Sequence, residues 1–320
     1  MRRFFILLAL LLPIYGFSAS FAVAAQPVTD APNTQPVRVL VTTNSLGFLV
    51  AEIAASLIEN KKLELKVLAA PGRDVHYLDA RPSFIAAARR ADLLIETGAG
   101  VEEGWLPVVV SSAANPAINE GRLGRLRVAE HLTLRQSITV TGPHAGHVHA
   151  AGNPHFNIDP LRMALASRVI ARRLGDFFPD QRAELIKASF LLEKRLKDAA
   201  KKMAAQLIEG QRFIAYHEDV DYLEEWLPVI NIGYLEPIPG LPPTSKHLRS
   251  LVEQHKGDAL DREPKPRVIF AAFNPSQGAD FLKNRLGWTT HPVPIEPEQP
   301  NWESYLKLMI IWTDAFDKKY

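Results

Sequence analysis

The sequence predicts an α/β protein of two doubly wound lobes, each built on a parallel sheet, with one long helix between them. Three observations carry that expectation. Short β-branched runs alternate with helix-spaced apolar segments between residues 37 and 95, a pattern that implies a parallel sheet covered by helices. Residues 180–209 then hold neither Pro nor Gly and are rich in Ala, Leu, Lys, Arg, Glu and Gln, all strong helix formers. After Gly210 the alternation of strand-like and helical segments resumes.

Taken in order, Val37–Val41 is a short β-branched run leading into Thr42, Thr43, Asn44 and Ser45, which reads as a strand followed by a helix N-cap. Helical spacing continues through Leu46, Leu49, Val50, Ile53 and Leu57. Residues 63–68 form a second strand, 83–90 a helix and 93–95 a third strand. Asp159 with Pro160 marks the entry to a further helix. The long helix over 180–209 closes with Gly210 as its cap, and strands follow at 213–216, 229–232 and 268–271. The last helix takes Asn301 as N-cap and runs through Tyr305, Leu308, Ile311 and Trp312. The domain reading is therefore a leader over 1–25, a first lobe over 26–179, the helix over 180–209 and a second lobe over 210–320. Length supports it, because about 295 residues exceed what one hydrophobic core usually serves.

The leader sets the compartment. Arg2 and Arg3 precede an apolar run over 4–12 and small residues ending in Val23, Ala24 and Ala25, the pattern of a secretory signal peptide cleaved near Ala25. The run is shorter than the roughly 20 residues a spanning helix needs. Cleavage takes the 37 Lys and Arg to 35, matching the 35 Asp and Glu. A neutral mature chain carries no electrostatic footprint for nucleic acid. With no cysteine it has neither a disulfide nor a thiol to lipidate, so a freely diffusing periplasmic monomer is expected.

Three histidines stand where the carboxyl ends of parallel strands place ligand-binding loops. His76 lies in PGRDVHYLDARPS, between a strand and a helix. His155 lies in GNPHFNIDP, where Gly152 and Pro154 force an irregular backbone. His217 directly follows the strand over 213–216. One such histidine is most simply a loop residue bonded locally, but three at strand ends point to a shared ligand. Imidazole nitrogen suits Zn²⁺, and a closed tetrahedral site needs one more donor. Glu296, Glu298 and Glu236 are the acids available. Glu296 is favoured because the strand-like residues 291–295 deliver it to the same edge, whereas Glu236 sits in the Pro-rich LEPIPGLPP segment. Water is a further candidate for the fourth position. The same donors also admit manganese or iron. A zinc hydrolase is the rival enzyme reading, yet the HExxH spacing of such enzymes occurs nowhere in the chain. A binding module for an organic or chelated ligand is the other rival.

With these segments in view, the chain resembles the zinc- and manganese-binding solute-binding proteins of ABC importers. The resemblance runs through VTTNSLGFLVAEIA, PGRDVHYLDARPS, ADLLIETGAGVEEGWL, GNPHFNIDP, the 180–209 helix, FIAYHEDVDYL and LEPIPGLPPTSKHL. It implies two lobes joined by one rigid helix, coordination by His76, His155 and His217, an acidic fourth ligand at the position matching Glu296, and an inner-membrane permease as partner. It also implies binding without a reaction. The chain departs from the family pattern at Ala80, Arg81 and Asn157, none of which removes a histidine. His144, His147 and His149 resemble an abbreviated histidine-rich loop of the same family, where metal would be captured first.

Overall fold

The computed structural model describes residues 35–137, 151–261 and 264–317. The leader and the histidines at 144, 147 and 149 lie outside them. The first lobe runs β1 (Val37–Val41), α1 (Asn44–Ile53), α2 (Ala55–Glu59), β2 (Leu63–Val67), α3 (Pro82–Ala88), β3 (Leu93–Glu96), α4 (Leu106–Ala113), β4 (Arg125–Arg127) and α5 (Pro160–Phe177). The long helix α6 (Arg182–Ala204) follows. The second lobe runs β5 (Gln211–Ala215), β6 (Val229–Tyr234), α7 (Ser245–Asp261), β7 (Arg267–Ala271), α8 (Gln277–Leu286), β8 (Thr289–Val293) and α9 (Trp302–Asp314). Both sheets are parallel, and both have the same strand order: β2-β1-β3-β4 in the first lobe and β6-β5-β7-β8 in the second.

The alternation of side chains along the central strands explains the layering, since successive residues of a strand face opposite sides of the sheet. Val39 and Val41 of β1, Leu93 and Ile95 of β3, and Phe213 and Ala215 of β5 point into one continuous inner core. The residues between them point outward. Leu40 and Leu94 join Val75, Phe84 and Trp105 in an outer core of the first lobe, and Ile214 and Val268 join Leu282 and Trp288 in that of the second. Sheets buried on both faces need apolar residues at every position, which is why these strands read as runs. The inner core includes buried residues of α1, α5, α6 and α9 from both lobes. Phe48 of α1 stacks on Tyr305 of α9 with ring centroids 4.6 Å apart. The lobes therefore share a helical spine, in which α6 is the longest member.

Several boundaries differ from expectation for identifiable reasons. The long helix begins at Arg182, after a 3-10 turn over Pro179–Gln181, and ends at Ala204. Beyond it the N–H groups of Gln206 and Leu207 bond carbonyls three residues back, tightening the end into turns. Gly210 does take a left-handed conformation, φ 78°, but its N–H bonds the Pro228 carbonyl and leads into β5 rather than capping α6. The apolar segment after β1 breaks at Ala54 into α1 and α2. β4 escapes a reading by apolar runs because it is Arg-Leu-Arg. β8 spans Thr289–Val293 rather than 291–295, since its ladder with β7 ends at Val293, and Glu296 follows on a loop. Among the described residues no helix is long and apolar enough to cross a membrane.

Candidate metal centre

The three histidines come together. His76 sits on a 3-10 turn (Val75–Tyr77) between β2 and α3, His155 on the connection between β4 and α5, and His217 at the carboxyl end of β5. Ring centroids are 5.2 Å apart for His76 and His155, 5.3 Å for His155 and His217, and 6.5 Å for His76 and His217. Zn–N bonds of ~2.0–2.1 Å at tetrahedral angles put imidazole centroids about 5 Å apart. Two of the three pairs have that spacing, and the third is wide. Among the described residues no group of three or more His, Cys, Asp or Glu side chains already stands close enough to hold an ion without adjustment.

Each ring is held from behind by an oxygen on Nδ1. Asp74 Oδ1 lies 2.9 Å from His76 Nδ1 and also accepts the His76 backbone N–H at 2.9 Å. Asn153 Oδ1 repeats the arrangement at His155, 2.8 Å from Nδ1 and 3.0 Å from the backbone nitrogen. The Asn153 amide must be oriented this way because its Nδ2 donates to the Glu218 carbonyl at 2.7 Å. His217 Nδ1 bonds Glu236 Oε2 at 2.8 Å. An acceptor at Nδ1 fixes the proton there and makes Nε2 the nitrogen whose lone pair can take a metal, the usual support for ligating histidines.

The site is strongly polarised. Burial works to lower the His217 pKa, but the Glu236 hydrogen bond and the charges of Asp219, Glu236 and Glu218 outweigh it and lift the value to about 9. Burial raises Asp219 to about 7 against the pull of His217. Burial also raises Glu296 to about 7, partly offset by its bond from Ser45. Asp74 moves the other way: its burial is outweighed by the hydrogen bond and charge of His76.

Glu296 lines the same cleft as the three rings, a cavity of about 1110 Å³ that admits an ion with its water shell. Its Oε2 accepts the Ser45 N–H at 2.7 Å, and Oε1 accepts Asn157 Nδ2 at 3.2 Å. Glu298 points elsewhere, 74% exposed near Lys307. Glu236, set aside for its Pro-rich setting, stands directly behind His217. Asp74, Asn153 and Asp219 were not foreseen as part of the site. The first two had a signal in the sequence, an Asx two residues before a histidine. Glu96, which lines the cleft farther along, is clamped by Arg125 at 2.7 Å and Arg127 at 3.0 Å, and Glu102 accepts the Thr42 hydroxyl at 2.7 Å and the Thr97 and Gly98 N–H groups at 2.7 and 3.0 Å. These acids are fully engaged in structure.

Two like-ordered parallel sheets on a shared helical spine, with a histidine-lined cleft at their strand ends, define a two-lobed solute-binding protein of the helical-backbone class. The chain belongs to the family described as zinc-uptake complex component A, periplasmic, whose model matches residues 39–318. The high-affinity zinc uptake system protein ZnuA of Yersinia pestis is 24% identical over 258 residues, covering 75% of this chain and 80% of that protein. In structure, the chain shares its fold with FpvC of Pseudomonas aeruginosa, solved in complex with Mn²⁺, at TM-score 0.70 and 19% identity over 88% of this chain and 98% of that one. The periplasmic zinc binding protein TroA from Treponema pallidum is similar at TM-score 0.67 and 15% identity, again over 88% and 98%.

Proposed function

We propose that this chain captures one divalent transition metal, zinc before manganese or iron, in the cleft between its lobes and delivers it to the permease of an ABC importer. The observation that carries this reading is the convergence of three imidazoles from three separate loops, each backed at Nδ1 by an oxygen. Borderline nitrogen donors suit zinc. His76, His155 and His217 are the proposed ligands, and Glu296 is the fourth donor on the sequence reading, sharing the cavity wall with the rings.

An arriving ion exchanges its water shell for ring nitrogens, and the wide His76–His217 pair draws in. No reaction is involved, in keeping with a family of binding components. The shared inner core disfavours a wide clamshell opening, so release to the permease proceeds through a small tilt or a loop movement. Export through the leader at 1–25 would place the chain in the periplasm that the family's description names.

Calorimetric titration of chelator-stripped protein with Zn²⁺ is expected to show one ion per chain. Zinc at a hundred times its dissociation constant is expected to stabilise the fold by about 2.7 kcal/mol. A protein that gives neither binding heat nor a thermal shift with zinc contradicts the reading.

A further inference from the structure

We infer that Asp219 is the carboxylate that faces the ion, supplying the fourth donor beside His217, while Glu296 serves as a latch between the lobes. The inference rests on the three-histidine reading and extends it.

Four acids stand around the rings, and their hydrogen bonds sort them. Asp74 is committed to His76, whose Nδ1 and backbone nitrogen both meet its Oδ1. Glu236 is committed through Oε2 to His217 Nδ1 and to the Gly240 N–H at 2.9 Å. Glu296 spans the lobes, with one oxygen on the first turn of α1 at Ser45 and the other on Asn157. Its neighbours reinforce that hold, since Asn44 Nδ2 donates to the Pro297 and Glu298 carbonyls at 2.9 and 3.2 Å.

Asp219 is different. It is 4% exposed and lines the same cavity as the three rings. Its Oδ1 is shielded from solvent and has no hydrogen-bond partner among the described residues. The acids flanking it on the same 3-10 run are provided for: Glu218 accepts the Ser137 hydroxyl at 2.5 Å, and Asp221 accepts Asn231 Nδ2 at 3.2 Å and the Tyr234 hydroxyl at 2.8 Å.

A buried carboxylate oxygen without a donor is costly to fold. A divalent cation removes that cost and gains an oxygen ligand of the kind zinc accepts at ~2.0–2.2 Å. Asp219 is two residues from His217, and Asn153, which backs His155, donates to the Glu218 carbonyl between them, so the segments carrying these three side chains are bonded into one frame. A hard oxygen donor in this position also keeps manganese within the site's range.

The test is a titration of the chelator-stripped full chain with Zn²⁺, and with Co²⁺ for its d–d absorption, in five forms: wild type, Asp219→Asn, Asp219→Glu, Glu296→Gln and His155→Ala. Asp219→Asn is expected to weaken zinc binding by at least ~100-fold and to alter the Co²⁺ band, a larger change than loss of a supporting residue usually produces. Asp219→Glu, which keeps a carboxylate, recovers part of the affinity. The metal-free Asp219→Asn protein is expected to melt no lower than wild type, because Oδ1 makes no hydrogen bond among the described residues that the amide would lose. Glu296→Gln is expected to lose less affinity than Asp219→Asn. Zinc affinity of Asp219→Asn within about threefold of wild type, or a larger loss in Glu296→Gln, overturns the inference. If His155→Ala binds zinc as wild type does, the three-histidine reading itself fails, whatever Asp219 does.

Discussion

On one side of the proposed metal centre, His155 and His217 belong to segments that bond to each other across the lobes. Asn153 Nδ2 reaches the Glu218 carbonyl, the Tyr222 hydroxyl donates to the Asn153 carbonyl at 2.6 Å, and Trp226 Nε1 donates to the Ile158 carbonyl at 3.1 Å. On the other side, His76 rides on a turn tied to the first lobe's outer core by Trp105 Nε1, which donates to the Val75 carbonyl at 2.8 Å. His155 is 5% exposed, whereas the His76 side chain is 23% exposed and the adjacent Tyr77 is 64% exposed. The wide ring pair, His76 with His217, spans this divide. A site with one fixed wall and one adjustable wall can be loaded without moving the lobes far, because the shared core resists rotation while the 70–81 connection does not pass through it.

The sharpest way to break the comparison is to remove a proposed ligand from either wall. Zinc sites of four donors bind with roughly 10–16 kcal/mol. One imidazole is thus worth about 2.5–4 kcal/mol, and His155→Ala, His217→Ala or His76→Ala should each weaken zinc binding by roughly 100- to 1,000-fold by competition titration. The walls should separate in kinetics: loss of His76 speeds metal release without changing the melting temperature of the metal-free protein.

A smaller perturbation sharpens the contrast. Asn153→Ala and Asp74→Ala remove the same kind of support from His155 and His76, so each should cost about 10–100-fold in affinity. Asn153 is buried and also satisfies the Glu218 carbonyl, so its loss should in addition cost the metal-free fold about 1–3 kcal/mol. For a chain of this size that is a fall of about 2–4 °C per kcal/mol. Asp74→Ala should leave the metal-free melting temperature nearly unchanged. Equal falls in melting temperature would show that the two walls are equally fixed.

The smallest single step is expected from pH, taken one unit at a time. With its pKa near 9, His217 is a cation at neutral pH in the metal-free protein, and zinc must expel the Nε2 proton to bind. Affinity should therefore climb by about tenfold, or 1.36 kcal/mol, per pH unit from 7 toward 9 and flatten above. Calorimetry in buffers of different ionisation enthalpy should register one proton released at pH 7.5. An affinity that levels off near the ordinary histidine value of about 6.5 would mean that Glu236 and Asp219 do not hold that charge.

The strand runs of the sequence were legible because buried parallel strands are apolar at every position, and the three histidines because they follow strand ends. The helix ends were not: whether a chain of helix formers stops at Ala204 or Glu209 depends on turns that no composition records. β4 hid behind its arginines, whose side chains reach Glu96 in the cleft while Leu126 alone enters the core. The Asp74 and Asn153 supports share an Asx-x-His spacing that is local and readable. Glu236 supports His217 from 19 residues away, on the neighbouring strand's exit, and only the β5–β6 pairing reveals it. Asp219 was visible as a residue but not as a buried one, since an acid-rich segment reads as a solvated face.

X-ray absorption spectroscopy of the chelator-stripped chain loaded with one equivalent of Zn²⁺ tests the central claim most directly. Three imidazole nitrogens and one oxygen at about 2.0–2.2 Å are expected, with the imidazole scattering falling by a third in His76→Ala. A shell of oxygens with no imidazole contribution, or one that His76→Ala leaves unchanged, would contradict the convergence of the three rings on a single ion.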